Sequence, residues 1–231
     1  MAVSPRKTIL AIGAHYDDCV FGIPGILVDA LYREYRVVIL SLIGDYTDWA
    51  PAKGRANELL EVSKGLAHNY GAEMRFLDYA SGRFQLDSAS KKAVAEVVAD
   101  VQPDIAFMLW DQDRHPDHEA AAAISKVALR QAGQILGRAV KVPRQIYGYD
   151  NGPGHTIGFE PNTFVDVSTV WPSAIEWLAQ LMAFVRPAPR PVGMDPAVAA
   201  KTTMARYRGA ACGSKYAEAL WSAQPRPAQI L

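Results

Sequence analysis

Hydrophobic residues in the first 130 positions fall into two alternating patterns. Short, mostly apolar segments occupy residues 8–14, 36–43, 74–77 and 105–110. Such runs, bounded by polar residues and rich in β-branched side chains, predict buried strands. Between them, apolar residues recur every three or four positions, as Leu59, Val62 and Leu66 do. That spacing predicts helices over 24–31, 52–70, 88–101 and 119–132. Pro24 suits a first helical turn, and Gly71 suits the residue after a helix end. The pattern then loosens. Strands are predicted over 145–149 and 163–167, around a Gly- and Pro-rich loop, DNGPGHTIGFEPN. Helices are predicted over 171–185 and 196–207, split by RPAPRPVG, a surface loop.

A β-α repeat of this kind implies a mostly parallel sheet with helices on both faces and right-handed crossovers. The fold class expected is therefore α/β, Rossmann-like, with an irregular C-terminal part. No repeat or linker divides the chain, so residues 1–231 are read as one domain. A βα core covers 1–132, and 133–231 completes it with substrate loops.

Two apolar runs end in unexpected polarity. The first runs into AHYDD (14–18), the fourth into WDQDRHPDHEA (110–120). In doubly wound sheets the first and fourth strands are often neighbours, and ligands bind at the carboxyl ends where the winding reverses. His15, Asp17 and Asp18 would then meet His115, Asp117 and His118. Two imidazoles and a carboxylate make a common zinc cage with open positions. Each cluster also has a plainer reading. A strand-end histidine is often only hydrogen-bonded, and an Asp before a helix is often only its cap. The pairing of the two clusters at equivalent strand ends favours the metal.

Composition narrows the reading further. The 24 basic and 24 acidic residues cancel, so charge gives no case for nucleic acid or an anionic membrane. No apolar stretch approaches the ~20 residues that span a bilayer, and the N-terminus does not read as a signal peptide. Cys19 and Cys212 form no C-x-x-C pair, which makes the cytoplasm the default compartment. The apolar C-terminal third leaves room for a homo-oligomer.

His15-x-Asp17-Asp18, followed by Gly22 and Gly25, resembles the A-H-P-D-D signature of the PIG-L/LmbE-like N-deacetylases. His115-Pro116-Asp117-His118 resembles their second signature, H-P-D-H. The likeness extends to Arg55, to FVDVS at 164–168 and to SKYAEAL near the end. It implies a Rossmann-like hydrolase with one zinc per chain, removing acetyl groups from small amino-sugar-like substrates. His15, Asp18 and His118 would be the ligands and Asp17 the general base. His115 would be a protonated partner for the oxyanion or leaving amine. Asp117 would orient or charge-stabilise a histidine, and Arg55 would touch substrate.

Three positions depart from the pattern. Tyr16 stands where the family prefers proline and Cys19 where it prefers glutamate. Asp113 stands where some relatives carry a tyrosine that donates to the oxyanion. Either another donor serves the oxyanion, or Asp113 contacts a cationic or hydroxyl-rich substrate; His155 is read as a rim residue on a lid, and Trp49 and Trp110 as core residues or a stacking wall. The rival readings are an iron(II) site, a non-catalytic or differently specialised metal- or ligand-binding relative, and a nucleotide-binding protein. The last lacks G-x-G-x-x-G after the first strand.

Overall fold

The computed structural model describes residues 6–188 and 190–223. The N-terminal five residues, where the signal-peptide reading begins, Pro189 of the proline-rich segment and residues 224–231 lie outside them. Seven strands form one sheet: β1 (Thr8–Gly13), β2 (Arg36–Asp45), β3 (Glu73–Ala80), β4 (Ile105–Leu109), β5 (Gln145–Tyr149), β6 (Thr163–Asp166) and β7 (Ala217–Trp221). Their order is β3-β2-β1-β4-β5-β7-β6. The first five are parallel, and β7 runs antiparallel between β5 and β6.

β1 pairs with both β2 and β4. The winding leaves β1 toward β2 and β3, then returns past it to β4. Crossovers of one hand on outward and return paths put helices on opposite faces. The helices are α1 (Asp18–Gly22), α2 (Pro24–Tyr32), α3 (Ala56–Asn69), α4 (Ser88–Val101), α5 (Pro116–Leu136), α6 (Trp171–Ala183) and α7 (Pro196–Cys212). α4 packs on α5, while α2 and α3 pack on α6, which meets α7. Leu10, Leu27, Leu40, Leu59, Val98, Ile124 and Trp177 are fully buried between these layers. Among the described residues no helix is long and apolar enough to cross a membrane.

Three elements differ from the sequence expectation. α5 begins at Pro116 rather than 119. His115 takes extended backbone angles and its Nδ1 accepts the Asp117 N–H at 3.2 Å, so it caps the helix. Asp117 and His118 therefore sit in the first turn. A five-residue helix, α1, intervenes before α2, its last residue Gly22 pressed against Tyr149. A Cβ at Gly22 would come within 2.3 Å of that ring. The C-terminal AEALW run is a strand, inserted by pairing with β5 and β6, which are distant in sequence.

Candidate functional site

β1 and β4 end side by side, and their polar ends converge. Asp18 opens α1 and folds back on β1: its Oδ2 accepts the N–H groups of Ala14 (2.8 Å) and His15 (2.7 Å). Gly13 permits this, since a Cβ there would lie 2.7 Å from Asp18 Cβ. His118 enters from the first turn of α5. Its Nε2 lies 3.1 Å from Asp18 Oδ1 and 3.2 Å from His15 Nδ1. His15 Nδ1 lies 3.5 Å from Asp18 Oδ2. These three side chains bring one donor atom each within 4.8 Å of the others. The cluster could hold a metal ion.

Each imidazole is backed by a further carboxylate. Asp117 Oδ2 lies 3.4 Å from His15 Nε2. Asp117 is itself fixed by the Ser81 hydroxyl (2.5 Å) and the Gly82 N–H (2.8 Å). Asp113 Oδ2 lies 3.1 Å from His118 Nδ1, while its Oδ1 accepts the His115 N–H at 2.8 Å. The carboxylate–histidine–metal arrangement fixes which ring nitrogen faces the ion. Asp113 is almost fully buried. Its carboxylate faces His118, not a substrate.

The charges follow from this crowding. Burial opposes a proton on His15, but hydrogen bonds to Asp117 and Asp18 outweigh it and raise the imidazole to about 10. His118 is likewise raised, to about 9, by Asp18 and Asp113 against its burial. Burial disfavours charge on Asp18, yet His118 and His15 hold its carboxyl well below the usual range. Asp17 goes the other way: burial, then the neighbouring Asp18, push it up to about 6.

Asp17 precedes α1 but makes no side-chain cap bond. It holds the N-cap position without a side-chain bond to the helix, and it lines the cavity. His115 also lines the cavity, and its pKa is lowered by burial and by His15 and His118. The lowered pKa favours the neutral ring, and with Nδ1 accepting the Asp117 N–H the neutral form carries its N–H on Nε2.

The remaining expected contacts separate. The loop after β5 is held to the loop after β4 by an Asp113–Thr156 bridge, and His155 reaches the cavity rim with its ring 5.1 Å from His118. Arg55 caps α3 with its guanidinium 4.1 Å over the Phe184 ring and one N–H on the Phe184 carbonyl. It does not line the cavity. Trp49 does; Trp110 packs instead on Trp221 and Phe159. Cys19 is buried behind the site with Sγ 3.3 Å from the Tyr149 hydroxyl, and burial pushes its thiol up, away from thiolate chemistry.

Asn151 and Arg186 are among the lining residues that the sequence reading missed. Asn151 donates to Asp18 Oδ1 at 2.8 Å. It follows β5 directly, so a search of a third strand end would have found it. Arg186 lines the cavity from the segment between α6 and α7, where no strand end or spacing signals it.

Arg186 is gripped by Asp195 through Nε (2.6 Å) and Nη2 (3.0 Å). Asp195 also caps α7, accepting the Ala197 N–H at 2.8 Å. Burial alone would raise the Asp195 carboxyl, but Arg186 and the cap N–H hold it below its ordinary value. A depressed folded pKa contributes stability above the unfolded value, and that stability is lost as pH falls through the folded one. Asp195→Asn keeps a cap acceptor and removes the charge. It should cost about 1–3 kcal/mol at pH 7. The gap to wild type should close as denaturation is repeated below roughly pH 4.

The cavity beside the cluster measures about 440 Å³. Four likenesses to known proteins bear on this site. A family model described as PIG-L, GlcNAc-PI de-N-acetylase, matches residues 10–129, just over half of the chain. The uncharacterized deacetylase YaiS of Escherichia coli (strain K12) is 29% identical over 140 residues, 59% of this chain and 75% of YaiS. The diacetylchitobiose deacetylase of Thermococcus kodakarensis is 27% identical over 176 residues, 71% of this chain and 65% of that one. Among solved structures, GalB, the 4-carboxy-2-hydroxymuconate hydratase of Pseudomonas putida KT2440, superposes with a TM-score of 0.80 at 22% identity. It covers 97% of this chain and 99% of its own. At that identity the likeness speaks for the fold alone.

Proposed function

The chain belongs to the PIG-L family, and on that premise we propose that it is a zinc-dependent hydrolase that removes the N-acetyl group of a small amino-sugar-containing substrate. One observation carries the reading. Two imidazoles and a carboxylate offer convergent donors, and a second carboxylate, Asp17, stands beside them without a helix-cap bond. The donor set fits zinc: two nitrogens and one oxygen, each imidazole backed by a carboxylate, with open positions facing the cavity. The sugar class rests on the relatives, one of which is named for diacetylchitobiose. Cys19 and Cys212 are both free thiols, which suits the cytoplasm.

His15, Asp18 and His118 would hold the ion. Zinc bound there supplies acidification of water and polarisation of a carbonyl. Asp17 takes the proton of the attacking water; its raised pKa matches a group that must accept a proton near neutrality and return it. His115 donates its Nε2–H to the oxygen that becomes negative as the amide carbon turns tetrahedral. Its neutral form can do this without leaving the α5 cap. The proton held by Asp17 then passes to the departing amine. Asp117 and Asp113 position His15 and His118, and Asn151 steadies Asp18. His155 borders the entrance.

The test is metal content with amine release. The purified protein should carry about one zinc per chain and liberate amine from N-acetylglucosaminides. His118→Ala should lose both, because it leaves two donors and unpaired buried carboxylates. A wild type free of metal after zinc loading and dialysis sinks the zinc reading. A metal-loaded wild type that releases no amine from any acetamide favours a differently specialised or non-catalytic relative.

A further inference from the structure

The cavity lining divides by chemistry. Strand ends supply acids, imidazoles and Asn151. The other wall is largely apolar: Phe21, Trp49, Pro51, Met182 and Val185. Besides the Tyr46 hydroxyl, which accepts the Tyr16 N–H, two polar groups interrupt that wall, and both can donate. One is Arg186, the single Lys or Arg among the lining residues. The other is Tyr16, the departure inside the first signature.

Tyr16 is 2% exposed. Its ring is fixed edge-on by Tyr46 at 5.8 Å and tilted against Trp49 at 5.9 Å, and its N–H donates to the Tyr46 hydroxyl at 2.8 Å. Its own hydroxyl finds only a sulfur among the described residues, Met182 Sδ at 4.0 Å. A buried phenol normally has an oxygen or nitrogen partner. Met182 belongs to the same cavity wall, so the hydroxyl is turned toward the space a ligand would fill. Arg186 is equally fixed. Asp195 takes its Nε and Nη2, and Nη1 has no part in that pair.

We infer that Tyr16 and Arg186 form a specificity subsite for an acceptor-only oxygen group on the substrate, a carboxylate or a phosphate, set apart from the scissile amide. The inference rests on the hydrolase reading and extends it. A guanidinium only donates, and the phenol's free capacity here is its O–H. A substrate hydroxyl could accept here as well, but it brings no charge to match the guanidinium. A carboxylate or phosphate oxygen accepts from both and needs nothing returned. The aromatic and methionine surroundings keep water from competing for those donors. Proline at position 16 would present no such hydroxyl.

The test is calorimetric binding to the purified full chain with three probes. These are N-acetylglucosamine, N-acetylmuramic acid for the carboxylate and N-acetylglucosamine 6-phosphate for the phosphate. One acidic probe should bind at least about 10-fold more tightly than the neutral one, the scale of a hydrogen bond to a charged group. Tyr16→Phe, which removes only the hydroxyl, should cut that advantage several-fold. Arg186→Lys, which keeps a cation on Asp195, should do the same. Thermal melts check that both variants stay folded. Equal binding of all three probes, including none detectable, overturns the subsite. So does a folded Tyr16→Phe that retains the full advantage. Amine release is recorded separately: acid-selective binding without amine release overturns the hydrolase reading and leaves the subsite standing, and the converse result does the reverse.

Discussion

Asp17→Asn should keep its metal and lose about 10²–10⁴-fold in turnover, the range for removing a general base. The substitution is nearly isosteric. The Asp17 side chain makes no helix-cap bond, so the substitution removes no cap from α1. An amide can still accept a hydrogen bond from water but cannot take its proton. Asp18, one residue on, presents the contrast. Its Oδ2 accepts two backbone N–H groups and its Oδ1 the Asn151 amide, and both imidazoles converge on it. Asp18→Asn should therefore lower metal content first, with turnover falling in proportion to the metal lost. The measurement is zinc per chain by atomic absorption beside amine release for both variants. Turnover surviving in metal-loaded Asp17→Asn would remove Asp17 as the base. Equal loss of metal in both variants would make it a ligand.

The contrast bears on how much of the site the chain's order of residues reveals. The two polar clusters were legible because each ended an apolar run, and the sheet order β2-β1-β4 brings those ends together. What spacing could not assign was the division of labour within AHYDD. That depends on where the chain turns after β1, and Gly13 lets Asp18 fold back while Asp17 faces outward. Asp113 was misjudged for a similar reason. Beside a signature motif it suggests substrate contact, but a two-residue turn to the His115 N–H aims it at His118. Arg186 and β7 were illegible for a different reason. Both owe their places to contacts across long sequence separations, which no local pattern records.

Lys201→Met should cost about 3–5 kcal/mol of stability, the scale for removing one partner of a buried ion pair. For a chain of this length that is a melting shift of roughly 6–20 °C. Lys201 and Glu218 are 2% and 1% exposed. Lys201 Nζ lies 3.3 Å from Glu218 Oε1 and donates to the Gly22 carbonyl. Glu218 accepts the N–H groups of Gly25 (2.9 Å) and Ile26 (2.8 Å) at the start of α2. The pair thus ties the α1–α2 junction to α7 and β7, which is how a strand far along the chain steadies the turn that carries Asp17 and Asp18. Burial already pushes the Glu218 carboxyl up even with Lys201 beside it. A raised carboxyl pKa means that charge on Glu218 costs stability as pH rises, so the Lys201→Met deficit should shrink on acidification. Adding Glu218→Gln to Lys201→Met removes the stranded charge while keeping an oxygen for the α2 N–H groups, and it should recover most of the loss at pH 7. If Lys201→Met melts with wild type, or the second substitution restores nothing, the junction is held by packing and not by this pair. Zinc should raise the melting point of the Lys201→Met protein as well, because an ion bound only by the folded chain stabilises it by mass action. A deficit that zinc narrows more than it stabilises wild type would trace the damage to the metal-bearing turn itself.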